Sequence, residues 1–107
     1  MLIAIQVHYL IALVIFAALI VGMFTHFGRR VALWALAAQL VAGMWLLFLG
    51  FRPNPWHPAL WLACALLTQS AVLSRKRGVH AALTGLIVAA ALACAAGAFY
   101  LGLESQR

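Results

Sequence analysis

Acidic side chains are almost absent: the chain of 107 residues has one, Glu104, against seven Lys and Arg. Glycoside hydrolysis, aspartic proteolysis, carboxylate-ligated metal chemistry and carboxylate-driven proton transport all need buried Asp or Glu. Glu104 lies among the last four residues, so none of these mechanisms has its parts here. Cysteine is scarce too. Cys64 and Cys94 sit in separate apolar runs without C-x-x-C spacing, which excludes a zinc knuckle or thioredoxin-type pair and leaves them as small packing residues. Charged residues make up 7% of the chain and the set AVILMFWYC 68%. Soluble domains run at about 25% charged and about 45–50% apolar. So little polar surface cannot cover a water-soluble fold, and the composition predicts an all-α integral membrane protein.

The apolar runs set its organisation. A span needs about 20 residues at 1.5 Å rise to cross about 30 Å of hydrocarbon. Spans are predicted at about 2–24, 31–51, 58–74 and 79–103, giving one transmembrane domain over 1–107 with four helices in a bundle. No basic segment or Ala-x-Ala-like cleavage pattern accompanies the first run, which reads as a retained span. Thr25 to Arg30 is a polar break, and Pro53, Pro55 and Pro58 form the strongest turn signal. Pro58 suits the first turn of a helix, where a missing donor costs nothing.

Orientation follows from the basic residues, because short loops rich in Lys and Arg stay cytoplasmic. Arg29 and Arg30 fall in the first loop and Arg75, Lys76 and Arg77 in the third; Arg52 and Arg107 lie on the other side. Both termini are therefore expected outside, in a bacterial cytoplasmic (inner) membrane. The five inner residues suit anionic lipid headgroups at about 1 kcal/mol each. They are too few for a phosphate-tracking surface, so nucleic acid is not an expected partner.

In lipid, small residues mark where helices touch. Ala81, Gly85, Ala89, Ala93 and Gly97 recur at four-residue spacing along the fourth run and predict its packing face. Polar side chains inside spans need partners. Gln39, Gln69 and Thr84, with Thr68 and His80 nearby, are expected in the cytoplasmic half as a hydrogen-bonded network that fixes helix register.

Four histidines are candidate cofactor ligands: His8 and His57 toward the outer side, His26 and His80 toward the inner. Histidine is a usual axial ligand of haem iron, and each pair lies at roughly matching depth on different helices. His26 and His80 have Ala81, Ala82 and Gly85 beside them; the outer pair would need the loop before Pro58 to dip inward. The alternative is that His26, His57 and His80 are interfacial residues bonded to water, headgroups or neighbouring carbonyls. No metal site is expected.

Val7-His8-Tyr9-Leu10-Ile11-Ala12-Leu13 on the first helix, Ala42-Gly43 on the second, and Arg75-Lys76-Arg77 with His80 before the fourth resemble the copper-resistance D and SirB-like group of small four-helix membrane proteins. That resemblance implies an association with haem or copper handling and with assembly or support of membrane redox systems.

These features predict a non-enzymatic accessory or assembly subunit of a larger redox or energy-transducing membrane complex, its partners being other membrane subunits. A haem b electron carrier with bis-histidine ligation is the alternative, and a small-molecule transporter the second.

Overall fold

The computed structural model describes residues 2–50, 52, 55–76 and 80–105. Four α-helices, α1 (Leu2–Gly22), α2 (His26–Phe48), α3 (Trp56–Lys76) and α4 (Ala81–Ser105), account for all regular structure among the described residues. α1 packs chiefly on α2 and α3 on α4; contacts of α1 with α4 and of α2 with α3 close the ring, so α1 and α3 face each other diagonally. The bundle measures 44 × 20 × 17 Å. Its length matches the about 40–45 Å of a bilayer with its headgroups.

α2 starts at His26 rather than residue 31, because the Thr25–Arg30 segment is a helix start and not a loop. Thr25 is extended (φ −133, ψ 145) and its Oγ1 accepts a hydrogen bond from the Gly28 amide at 3.1 Å, satisfying one of the orphan donors of the first turn. The same hydroxyl donates to the Val21 carbonyl, 3.0 Å. Arg29 Nε donates to the Gly22 carbonyl at 2.7 Å, placing a cation on the C-terminal end of α1. The hairpin is so tight that a Cβ on Gly28 would lie 2.5 Å from Gly22 N and 2.8 Å from Val21 C. At the other end of α2, Gly50 has φ +98 and turns the chain out of the helix. α3 begins at Trp56, with Pro58 in its first turn.

Packing is by small side chains. The buried core includes Ala12, Ala18, Ala32, Ala71, Ala91, Ala95 and Ala98, with Ile15, Leu19, Leu36 and Val88 between them. Large apolar groups point outward: Leu13 on α1, Trp34 on α2, Leu66 on α3 and Leu86 on α4 are all exposed. That inversion suits lipid, which is as apolar as leucine and leaves close packing to hold helices together.

Segments Ile3–Gly22, His26–Phe48 and Ala82–Leu103 are long and apolar enough to cross a membrane. α3 is not among them. It carries His57, Thr68, Gln69, Ser70 and Ser74 and ends in Arg75 and Lys76.

The buried row of α4 is Thr84, Val88, Ala91, Ala95 and Ala98. The expected row differs from it: Gly85, Ala89 and Gly97 are half-buried and Ala93 is exposed, while Ala81 opens the helix. With 3.6 residues per turn, a strict four-residue spacing advances about 40° per step and winds around the helix. Alternating steps of four and three keep one face on a neighbour.

Candidate functional site

α1 and α3 run in the same direction, so their N-terminal ends share one end of the bundle. His8, two turns into α1, meets His57 from the first turn of α3, with ring centroids 5.9 Å apart and planes at 66°. The expected inward dip of the loop is unnecessary, because α3 already includes His57 and buries it to 8% exposure.

His57 is held from three sides. Its Nδ1 lies 2.5 Å from the Ala98 carbonyl oxygen of α4. A carbonyl only accepts, so Nδ1 carries the proton, and in the neutral ring Nε2 is left as an acceptor. Trp61, one turn further along α3, packs edge-on with ring centroids 6.4 Å apart. Gly102 of α4 admits the imidazole edge: a Cβ there would lie 2.8 Å from His57 Cε1. On the α2 side, a Cβ on Gly43 would have His8 Cε1 as its nearest neighbour, at 3.8 Å.

Four buried polar atoms around this pair have no hydrogen-bond partner: His8 Nδ1, Gln39 Oε1, Gln39 Nε2 and Trp61 Nε1. Gln39 is only 2% exposed and Trp61 3%. An unsatisfied buried polar group costs about 1–3 kcal/mol, so such a cluster calls for a physical reason. His8, Gln39, His57 and Trp61 line one cavity of about 130 Å³, whose remaining wall is formed by Leu40, Gly43, Met44, Leu46, Leu47 and Pro58. A smaller space of about 20 Å³ continues toward α4, where Tyr9 and Phe99 stack edge-on at 5.6 Å.

Families of known proteins, curated proteins and solved structures contain no match to this chain.

Apart from Gln39, the remaining expected site residues fall elsewhere. His26 is the half-buried first residue of α2. His80 is exposed just before α4, and its Nδ1 accepts from the Ala82 amide at 3.1 Å, capping that helix. Gln39, Gln69 and Thr84 do not form the expected network. Starting α2 at His26 places Gln39 near mid-helix, on the cavity with His8 and His57, and Gln69 is exposed. Thr84 Oγ1 instead pairs with Ser74 Oγ at 2.8 Å, joining α4 to α3. Of the basic residues, Arg29 serves the end of α1, Arg30 is exposed, Arg75 and Lys76 end α3, and Arg77 lies outside the described residues.

Trp61 and Gly102 are site residues that sequence reasoning missed. Trp61 stands four residues after His57, the spacing that puts two side chains on one helix face. No local signal distinguishes Gly102 from the other glycines of α4.

Proposed function

We propose that the chain is a four-span bundle of a bacterial cytoplasmic membrane with both termini outside. In this reading it is a non-catalytic accessory or assembly subunit of a larger redox or energy-transducing membrane complex. The observation that carries the reading is the convergence of His8, Gln39 and His57 on one cavity inside a bundle whose large apolar side chains face outward. Such a site can hold a small group, and its lining sets no Ser, Thr, Cys or Lys nucleophile beside the two imidazoles, as covalent catalysis requires.

Counting α3 as the fourth span rests on its length and place. Its 21 residues reach about 31 Å at 1.5 Å per residue, and it lies in the ring beside α2 and α4. Two of its polar groups are satisfied internally: Thr68 Oγ1 donates to the Cys64 carbonyl at 2.8 Å, and Ser74 meets Thr84. Leu62 and Leu66 face outward.

The approach of His8 to His57 also favours haem b held between them. The size of the cavity argues against it: about 130 Å³ admits one small ring, not a macrocycle of four pyrroles, and the α4 backbone at Gly102 already abuts His57.

Purification through a tag in mild detergent, with identification of the accompanying chains and an optical spectrum, tests both readings. Subunits of a membrane redox complex should accompany the protein, and no Soret band should appear. A protein that purifies alone overturns the accessory role, and a Soret band replaces the size argument with haem binding.

A further inference from the structure

We infer that the His8, Gln39 and His57 cavity binds the head ring of a membrane-dissolved quinone or quinol, admitted sideways between α2 and α3. This rests on the four-span reading, because the opening must face lipid.

Size comes first. An engineered apolar cavity of about 150 Å³ holds one benzene molecule, and this one, at about 130 Å³, is of the same class. Polarity comes second. A dry apolar ring would leave Gln39, His8 and Trp61 as unsatisfied as they are now, whereas a ring with oxygens on opposite edges meets the Trp61 and Gln39 donors as a quinone and, as a quinol, the Gln39 acceptor as well. Trp61 Nε1 and Gln39 Nε2 donate, and Gln39 Oε1 and His57 Nε2 accept. The two carbonyls of a quinone need donors; the two hydroxyls of a quinol also need acceptors. Both forms find partners here, and the proposal is binding alone, without electron transfer.

The opening comes third. Leu40, Met44 and Leu47 of α2 line the cavity and are themselves exposed, so the way in is apolar. Met44 and Leu47 also border an open groove with Phe48 and Arg52. A guest with an aromatic head and an apolar tail fits both spaces. Water alone, about four molecules at about 30 Å³ each, is the competing occupant. Among the described residues no three His, Cys, Asp or Glu side chains gather to hold a metal ion.

The test is equilibrium uptake of a radiolabelled decyl-tailed benzoquinone, and of its quinol, by full-length protein in lipid nanodiscs, corrected for empty discs. Uptake should saturate at one probe per chain and resist competition by decylbenzene, which lacks the oxygens. Gln39→Leu should weaken binding about tenfold or more while raising the melting temperature of the ligand-free protein, because it removes a buried unsatisfied amide. A Gln39 with a merely structural role would give the opposite change in stability and leave binding intact. Gln69→Leu, exposed on α3, should alter neither. Met44→Trp, at the exposed opening, should also weaken binding about tenfold and covers the case in which Gln39→Leu does not fold. Non-saturating uptake, equal competition by decylbenzene, or wild-type binding by both variants overturns the inference. If labelling places α3 outside the bilayer, the four-span reading fails; if topology holds and binding does not saturate, only the quinone site fails.

Discussion

Gly102 of α4 and His57 of α3 occupy adjoining space so closely that a Cβ on the glycine would stand 2.8 Å from the imidazole Cε1. The ring cannot retreat freely, because its Nδ1 is bonded to the Ala98 carbonyl and Trp61 packs against it. Gly102→Ala should therefore break or lengthen that bond, costing about 1 kcal/mol, and should weaken quinone uptake. Gly85→Ala is the control, since its Cβ would meet only the Met23 carbonyl at an ordinary 3.6 Å. Thermal unfolding in detergent compares the two; equal melting temperatures would sink the packing account.

Gly28→Ala should be worse than either. Its nearest neighbours are backbone atoms of α1, at 2.5 and 2.8 Å, which cannot move without prising α1 from α2. Overpacking of this kind costs about 1–3 kcal/mol or more. Gly97→Ala meets the flexible tip of Leu60 at 3.1 Å and should cost less. Helicity followed through thermal unfolding should rank Gly28→Ala clearly below Gly97→Ala, and the reverse order would be decisive against it.

The membrane character and the helix count were legible in the composition, because apolar run length and missing carboxylates are properties of the chain alone. The ends of α2 were less so. Thr25 was a capping residue in plain view, yet the polar run after it reads equally as a loop, and only the Gly28–Thr25 bond separates the two. That displacement carried Gln39 from an imagined inner network to the cavity. Small residues at four-residue spacing misled for a geometric reason, since such a row winds around α4 while the neighbouring helix does not. The meeting of His8 with His57 depends on which helices lie across the diagonal, and no local pattern encodes it.

Charge placement makes a topology prediction. With Cys64 and Cys94 replaced by Ser, Arg52→Cys should react with a membrane-impermeant maleimide from outside intact cells. Arg30→Cys should react only after permeabilisation. Both positions are exposed, so accessibility reports the side of the membrane and not burial. The opposite labelling pattern would invert the bundle.

Ser74 and Thr84 supply the last test. Their hydroxyls lie 2.8 Å apart, and each also has a backbone acceptor in reach: Ala71 O at 2.7 Å for Ser74 and His80 O at 3.4 Å for Thr84. Each hydroxyl has one proton to donate. The shorter backbone contact takes the Ser74 proton, so Thr84 donates to Ser74 and leaves His80 O as its fallback. Removing either partner thus strands little: Ser74→Ala returns Thr84 to the His80 carbonyl, and Thr84→Val leaves Ser74 bonded to Ala71. A double-mutant cycle on unfolding should give a coupling near the about 0.6 kcal/mol average for interhelical hydrogen bonds in membranes. A coupling above about 1.7 kcal/mol, the largest such value, would mean that the fallback acceptors do not serve and that this pair, more than the alanine packing around it, fastens α3 to α4.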